Sequence, residues 1–495
     1  MFRLALILAA VSLHAAIKLP AVFSDHMVLQ QGAPVRVWGW GAPGEDVRLE
    51  FQGQSVAVKT AENGKWTAWF RPLIAAGPLE MKINDLVIHD VLVGEVWLAS
   101  GQSNMEFKVQ QAVNHDEEVA RANYPWIRLF QVKHTEADQP ADDVVGKWEI
   151  CSSETVKTFS AVEYFFGRHL LQNLHAPIGL MESDWGGTPA QSWTSKEALA
   201  ADPALKFIGD YWETALARYP DAKAAYEKRL SSWEQAATEA RAAGKTPPPR
   251  PGAPEGPGHP NTPSGLWNGM IAPLAGYGIR GVLWYQGESN ANSDVHAYNY
   301  RRLFPTMVQD WRNRWGEGDF PFLFVQLANF QTNGRWPVLR ESQSETLRLA
   351  DTGMAVTLDV GESKDIHPKN KQDVGLRLAL AARAIAYGQP IEYSGPVFRT
   401  AAPEGNALRL YFTHADGMTA RGGGAIRGFE IAGADGKFAP AEAKVEGETI
   451  VLTGDGVSSP VSARYGWADD PGCNLVNQAG LPASSFRSEI PRYGW

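Results

Sequence analysis

Apolar runs alternate with amphipathic stretches through the middle of the chain, from residue 91 to about residue 390. Short apolar runs are typical of buried strands, and apolar residues that recur every three or four positions are typical of helices with one buried face. This alternation predicts an α/β fold with a parallel sheet covered on both faces, whose ligand site lies at the carboxyl ends of the strands. The predicted strands are Val91–Ala99, Ile127–Val132, Ile178–Ser183, Gly281–Tyr285, Phe322–Leu327 and Met354–Leu358, and the predicted helices are Val162–Leu174, Tyr298–Trp315, Leu339–Ala350 and Gln372–Tyr387.

Both ends of the chain show a different pattern, in which short β-type runs are separated by turn residues. Residues 17–90 lack helical periodicity and predict a small β-sandwich domain, and residues 391–495 predict a second β domain of the same kind. The core, residues 91–390, is interrupted by an insertion at 200–262. Its first half is rich in Ala, Glu and Lys and its second half in proline, which predicts a helical hairpin followed by an extended linker.

Length, composition and charge narrow the class of protein. A chain of 495 residues exceeds what one hydrophobic core usually organises, so we expect two or three domains. With 44% hydrophobic and 20% charged residues it is a globular protein, and its net charge of −9 argues against a nucleic-acid partner. No oligomeric state is predicted.

The amino terminus predicts the compartment. Residues 1–16 combine one positive charge, a short apolar core and a small pair, Ala15-Ala16, where a signal peptidase could cut. This segment is too short to span a bilayer stably and is typical of a secretory signal, so we expect a secreted or periplasmic protein. Cys151 and Cys473 are the two cysteines, and they can form a disulfide only if their Cα atoms lie within about 7 Å.

A serine and a histidine each follow a predicted strand. Ser103 lies just after Val91–Ala99, and His367 follows Met354–Leu358 with Asp365 two residues before it. A serine hydroxyl is a weak nucleophile until an imidazole takes its proton, and the imidazole needs a carboxylate to orient it. These residues therefore predict a serine hydrolase with Ser103, His367 and Asp365 as the catalytic set, and Glu288 is a rival for the carboxylate.

Each of these residues has a plainer interpretation. Ser103 lacks the glycine two residues later that marks a nucleophile elbow, and it precedes a predicted helix, Met105–Ala122, so it could be an N-cap. Asp365 could form an Asx-turn beside a surface histidine. A metal site is not predicted, because no further His or Cys lies near His367 at ligand spacing.

Two more segments carry polar groups or glycine at predicted strand ends. Gln286, Glu288 and Asn290 follow Gly281–Tyr285, and Trp185-Gly186-Gly187-Thr188 follows Ile178–Ser183. A side-chain amide from the first and a backbone N–H from the second could stabilise an oxyanion, although either segment could be an ordinary turn. Trp185, with Trp284 and Tyr285, predicts a small acyl pocket and an aromatic surface for a sugar ring, unless these are core residues.

Four segments together resemble the sequence blocks of the sialate O-acetylesterase family, within the SGNH (GDSL-like) hydrolases. The resemblance extends over most of the chain, and the first, third and fourth segments are the most specific. The third departs from the wider SGNH pattern Gly-x-Asn-Asp, and either Gln286 or Asn290 replaces the asparagine. The segments are Gly101-Gln102-Ser103-Asn104-Met105, Trp185-Gly186-Gly187-Thr188, Trp284-Tyr285-Gln286-Gly287-Glu288-Ser289-Asn290 and Asp365-Ile366-His367-Pro368-Lys369-Asn370-Lys371-Gln372.

The resemblance implies a flavodoxin-like α/β/α esterase core that removes O-acetyl groups from sugars without a cofactor. Carried over by position, Ser103 is the nucleophile, His367 the base and Asp365 its orienting carboxylate. The oxyanion donors are the backbone N–H groups of Ser103 and of Gly187 or Gly186, with a side chain such as Gln286. Acetylated sialic acid is the first substrate, acetylated xylan or pectin is the alternative, and a sugar-binding protein with an inactive core is a third hypothesis.

Overall fold

A β-rich segment leads into the central sheet through one long strand. The structure is a computed structural model and describes residues 17–489, so the predicted signal segment 1–16 lies outside the described residues. The last strand of this segment, Leu86–Gly101, pairs with neighbouring strands of the N-terminal region through its first half and with the central sheet through its second half. The predicted domain boundary at residue 90 therefore lies inside one continuous strand. The strands are β1 (Val28–Gln30), β2 (Val35–Trp40), β3 (Asp46–Phe51), β4 (Gln54–Lys59), β5 (Lys65–Phe70), β6 (Ala76–Ile83) and β7 (Leu86–Gly101).

The core alternates strands and helices as the sequence predicts. Each of the six predicted strands overlaps a strand of the central sheet, and each of the four predicted helices overlaps a helix. The elements are α1 (Ser103–Glu106), α2 (His115–Arg121), β8 (Tyr124–Gln131), β9 (Trp148–Cys151), α3 (Ala161–Leu174), β10 (Ile178–Asp184), α4 (Lys196–Ala201), α5 (Lys206–Ala242), β11 (Gly281–Tyr285), α6 (Asp294–Trp315), β12 (Phe322–Val325), α7 (Trp336–Ser344), β13 (Thr352–Ala355) and α8 (Lys371–Ile385).

The central sheet places β7 between β10 and β11. Its order is β13-β12-β11-β7-β10-β8-β9, and all neighbours along it are parallel except β8 and β9. A flavodoxin-like sheet has the order 2-1-3-4-5 along the chain. If β7, β8, β10, β11 and β12 are counted as core strands 1 to 5, the order here is 2-3-1-4-5. The third core strand, β10, therefore lies between the first, β7, and the second, β8. The α/β class is confirmed, and the strand order differs from the flavodoxin pattern in this exchange.

Helices cover both faces of the sheet. Successive side chains of each strand point to opposite faces, so each strand contributes to the packing on both sides. Along β7, Val96 and Leu98 belong to one apolar cluster and Trp97 and Ala99 to another. The second cluster contains the buried faces of α3 and α8, which pack against each other. Both faces of β7 are thus buried, as expected for a strand in the middle of a parallel sheet.

Two predicted helical features differ in the structure. The segment 105–122 is not one helix, because residues 107 and 108 have non-helical backbones and Asn114 has a left-handed backbone, with φ of 55°. The insertion contains the single 37-residue helix α5 instead of a hairpin. The proline-rich segment runs back along it, since Pro248 accepts a hydrogen bond from Trp233 and Glu255 accepts one from Tyr211 near the start of α5.

The C-terminal region contains two antiparallel four-stranded sheets and one two-stranded sheet, and the two larger sheets share an apolar cluster that includes Leu410, Ile431 and Ile450. Cys151 and Cys473 are both free. None of the helices within residues 17–489 is long and apolar enough to cross a membrane. The remaining strands are β14 (Val397–Glu404), β15 (Ala407–Thr413), β16 (Thr419–Ala420), β17 (Phe429–Ala432), β18 (Ala439–Pro440), β19 (Glu442–Glu446), β20 (Thr449–Thr453), β21 (Ser462–Tyr465), β22 (Leu475–Val476) and β23 (Phe486–Arg487).

Candidate active site

Three neighbouring strands end at the same level of the sheet. Gly101 of β7 is in register with Asp184 of β10 on one side and with Tyr285 of β11 on the other. Gly101 has a φ of 140°, and a Cβ added to it would lie 2.2 Å from the carbonyl oxygen of Tyr285. Only glycine fits this bend, which turns the chain from β7 into the segment that carries Ser103.

Ser103 and His367 contact each other at this edge. Ser103 Oγ lies 2.8 Å from His367 Nε2, within hydrogen-bond distance. Ser103 is not an N-cap, because Gln102 occupies that position of α1. The two residues are 264 positions apart in the chain, so the topology of the sheet brings them together.

Asp365 has two contacts with the histidine loop. Its Oδ1 accepts a hydrogen bond of 2.9 Å from the backbone N–H of His367, which is the Asx-turn that the plainer interpretation predicts. The same oxygen lies 3.8 Å from His367 Nδ1, too far for a hydrogen bond but close enough for charge attraction. The imidazole is 38% exposed and the carboxylate 45% exposed, so solvent screens this pair.

A buried polar network ties the serine segment to the histidine loop. Asn104 Nδ2 donates to Glu288 Oε1 at 2.6 Å and to the carbonyl oxygen of Ile366 at 2.9 Å. Asn104 Oδ1 accepts from Lys371 Nζ at 2.5 Å. Glu288 therefore lies against Asn104 rather than against His367. Sequence reasoning missed Asn104 and Lys371 as contributors to the site, although both lie inside the quoted segments.

Electrostatics favour a neutral imidazole at neutral pH. Burial and the positive charge of Lys371 lower the pKa of His367, and Asp365 opposes them. Burial lowers the pKa of Lys371 itself to about 7, while Glu288 opposes this effect. Burial also raises the pKa of Glu288. A neutral His367 is the form that can accept the proton of Ser103.

The glycine pair lies against the serine. A Cβ added to Gly186 would lie 3.3 Å from Ser103 Cβ, so a larger residue there would displace the serine segment. The backbone N–H of Gly186 donates to Glu106 Oε2 at 2.6 Å. Within residues 17–489, no hydrogen bond engages the backbone N–H of Gly187 or of Ser103. Of the two glycines, Gly187 is thus the one with a free donor.

The amide of Gln286 is engaged elsewhere. Gln286 is fully buried, its Nε2 donates to Asn290 Oδ1 and to the carbonyl oxygen of Thr188, and its Oε1 accepts from Tyr300. Asn290 is also buried, and its Nδ2 donates to Gln191. Both residues therefore hold the β10 and β11 loops together, and this geometry does not support the predicted oxyanion role of Gln286.

Gln102 is a candidate donor that sequence reasoning missed. Its Oε1 accepts from the backbone N–H groups of Gly287 and Ser289, which fixes the side chain beside Ser103. In the described part of the chain, nothing accepts a hydrogen bond from its Nε2. Its position next to Ser103 in the first segment was the available signal.

The aromatic residues of the predicted acyl pocket separate into two groups. Trp284 and Tyr285 are fully buried core residues on opposite faces of the sheet, so their assignment to a pocket was wrong. Trp185 is half-buried and stacks on His134, with 4.2 Å between ring centroids. It is the member of the predicted trio that can contact a substrate.

Comparisons with known proteins show the family to which the chain is similar. A family model described as a carbohydrate esterase, sialic acid-specific acetylesterase, matches residues 266–386. Sialate O-acetylesterase of Homo sapiens is 33% identical over 420 residues, which cover 76% of this chain and 72% of the human protein. The enzyme of Rattus norvegicus is 32% identical, covering 80% of this chain and 78% of its own length.

A solved structure extends the likeness to the whole fold. The crystal structure of a carbohydrate acetylesterase from Xanthomonas citri aligns with a TM-score of 0.82 and 37% identity, covering 96% of this chain and all of that one. Together with the curated relatives, this similarity identifies an esterase, a carboxylic ester hydrolase, and confirms the resemblance drawn from the four segments. The chain belongs to the sialate O-acetylesterase family of carbohydrate esterases.

Proposed function

We propose that this esterase hydrolyses O-acetyl esters on sugars by an acyl-enzyme route, with Ser103 as nucleophile, His367 as general base and acid, and Asp365 as the orienting carboxylate. The observation that carries the proposal is the 2.8 Å contact between Ser103 Oγ and His367 Nε2 at the carboxyl edge of the sheet. It also argues against an inactive core that only binds sugars, because a nucleophile and its base are already in contact.

The reaction has two halves. In the first, His367 takes the proton of Ser103 as Oγ attacks the acetyl carbonyl carbon, and it then passes that proton to the departing sugar oxygen. In the second, His367 takes a proton from water, the hydroxide attacks the acetyl-serine, and the returned proton regenerates the Ser103 hydroxyl as acetate leaves. The imidazolium formed in each half is stabilised by Asp365, 3.8 Å from Nδ1.

The oxyanion of each tetrahedral intermediate needs hydrogen-bond donors. We assign this role to the backbone N–H groups of Ser103 and Gly187, with Gln102 Nε2 as the side-chain donor in place of Gln286. What supports this is that these three donors are uncommitted in the described part of the chain, while Gly186 and Gln286 are engaged. Preorganised donors of this kind contribute about 3–4 kcal/mol each to transition-state stabilisation.

Acetylated sialic acid is the substrate that we place first. Its support is the specificity named for the mammalian relatives, and the Xanthomonas citri enzyme carries the broader description of a carbohydrate acetylesterase. Acetylated xylan or pectin is the alternative. The half-buried Trp185 beside the catalytic edge offers an aromatic face that suits any sugar ring.

We also propose a finer description of the fold and a location for the protein. We assign the core, residues 91–390 with the insertion at 200–262, to the SGNH hydrolases on the strength of the four sequence segments. We assign residues 17–90 and 391–495 to flanking β domains, the first of which shares β7 with the core. Residues 1–16 are proposed as a signal peptide, which would make the protein secreted or periplasmic.

Acetate release from a matched panel tests the proposal. O-acetylated sialic acids, acetylated xylan and acetylated pectin are each incubated with the wild-type chain and with Ser103→Ala. Release from sialic acids that Ser103→Ala abolishes supports the first substrate, and release from a plant glycan alone replaces it with the alternative. Absence of acetate release from every acetylated sugar, in a folded protein, would contradict the proposed activity.

A further inference from the structure

A second cluster of ionisable side chains lies behind the glycine pair, outside the catalytic set. Glu106, His134 and Asp184 each present a ligand atom, and these atoms all lie within 4.8 Å of one another. They come from three separate parts of the chain: α1, the segment after β8, and the last residue of β10. The sequence spacing could not reveal this set, since its members are 28 and more residues apart.

One member of the cluster carries an unpaired buried acceptor. Asp184 is 3% exposed, and its Oδ2 has no hydrogen-bond partner among residues 17–489. A buried carboxylate oxygen without a partner is costly, because it has lost water and gained nothing in exchange. Because Asp184 lies beside Glu106 and His134, this oxygen is available as a ligand for a cation.

Charge favours a cation at this cluster. Four carboxyl groups meet here, those of Glu106, Glu163, Glu182 and Asp184. Three lysines line the same groove, Lys108, Lys133 and Lys147, and two of them are paired: Lys108 with Glu182 at 2.6 Å and Lys147 with Glu149 at 2.8 Å. The ring nitrogen of His134 lies within the same cluster and can donate a lone pair to such an ion.

The ligand geometry is partly fixed in advance. His134 stacks on Trp185 with an angle of 8° between the rings, and its Nε2 lies 3.6 Å from Glu106 Oε1. That separation matches two ligands that share an ion at about 2.0–2.2 Å each. The three residues line an open groove of about 720 Å³, which gives an ion a path from solvent and room for water ligands.

We propose that Glu106, His134 and Asp184 form a binding site for one divalent transition-metal ion, of the class of Zn²⁺ or Mn²⁺. Two carboxylates and one imidazole suit these ions better than Ca²⁺, which prefers six or more oxygen ligands. The ion would tie α1, which begins with Ser103, to the end of β10, which leads into Gly186. Its role is to hold these two segments in place, and no step of the ester hydrolysis passes through it.

Metal binding to the full chain tests the site directly, and its readout does not depend on esterase activity. Protein treated with EDTA and exchanged into metal-free buffer is titrated calorimetrically with ZnCl₂ and with MnCl₂. We expect one ion per chain for at least one of the two metals, and a rise in melting temperature of about 2 °C or more at a hundredfold excess over the dissociation constant. Ca²⁺ should bind more weakly than either.

Variants locate the ion. Asp184→Asn and His134→Gln should each weaken binding by about tenfold or more, because each removes a ligand. Glu149→Gln is the matched control, since Glu149 lines the same groove but is not one of the three ligands. The metal affinity of Glu149→Gln should stay within about twofold of that of the wild type.

Two results would overturn the proposal. One is that the wild-type chain takes up neither metal at 1 mM, roughly the upper limit for a meaningful site. The other is that the chain binds a metal and both ligand variants retain it, which would place the ion elsewhere. Because Asp184→Asn is nearly isosteric and His134 is partly exposed, a melting curve for each variant shows whether lost binding reflects lost folding.

Discussion

Replacing Asp365 by asparagine tests which carboxylate orients His367, the proposed general base. The asparagine oxygen still accepts the backbone N–H of His367, so the turn that holds the loop is kept. What is lost is one negative charge, 3.8 Å from His367 Nδ1, at the moment when the imidazole becomes positively charged. The expected effect is therefore on turnover rather than on folding.

The size of the loss follows from the distance and the exposure. Two unit charges 3.8 Å apart interact by about 1 kcal/mol in water and about 4 kcal/mol at an effective dielectric constant near 20. These values correspond to losses of roughly 6-fold and 10³-fold in rate. Asp365 is 45% exposed, so solvent screens the interaction, and we expect a loss of kcat between these two limits, about 10²-fold. This is less than the roughly 10⁴-fold loss for a buried triad aspartate.

Glu288→Gln is the matched comparison. Glutamine keeps an oxygen that accepts from Asn104, so we expect turnover within about threefold of the wild type. The assay is kcat for p-nitrophenyl acetate at pH 8, with a melting curve for each variant. A larger loss in Glu288→Gln than in Asp365→Asn would show that Asp365 only forms the turn and that Glu288 is the carboxylate that matters.

Three further predictions concern the neighbours of the catalytic pair. The acid limb of the pH profile of kcat/KM should lie below pH 6.5, the usual pKa of histidine. Lys371→Met should move this limb to higher pH, because it removes a positive charge that lowers the pKa of His367. A limb that does not move, or that moves to lower pH, would contradict this coupling between Lys371 and His367. Gly186→Ala should lower kcat by about 10²-fold, since the new Cβ crowds Ser103. Gly209→Ala is the control and should leave kcat unchanged, because a Cβ at Gly209 has no other atom within 4 Å. Equal kcat values for the two variants would refute the packing argument. Butyryl esters should react at least about tenfold more slowly than acetyl esters, with the preference relaxed in Trp185→Ala; equal rates across acyl lengths would indicate a general esterase.

Much of the fold was readable because burial leaves a local trace. The apolar run before Ser103 marks β7, and a buried parallel strand has few alternatives to an uninterrupted apolar sequence. Since neighbouring parallel strands end at the same edge, Ser103 and His367 could be placed together from their positions alone. The contact between these two residues was therefore accessible to sequence reasoning despite their distance along the chain.

The features that sequence reasoning missed depend on contacts between distant segments. Gln286 follows a strand at a plausible place, but its amide is engaged by Thr188 and Asn290, which no local pattern shows. Trp284 is the type of residue that often stacks on a sugar ring, and only the packing of the sheet places it in the core. Lys371 begins α8 like an ordinary surface lysine, and the partner that explains its burial, Asn104, is 267 residues away.

The central claim is that Ser103 is the nucleophile, and active-site labelling tests it most directly. A fluorophosphonate probe reacts with a serine whose hydroxyl is activated by a neighbouring base. After labelling of the wild-type chain and peptide mapping by mass spectrometry, we expect one modified residue, Ser103, and no labelling in Ser103→Ala. Modification of a different serine, or none at all in a preparation that hydrolyses acetyl esters, would contradict it.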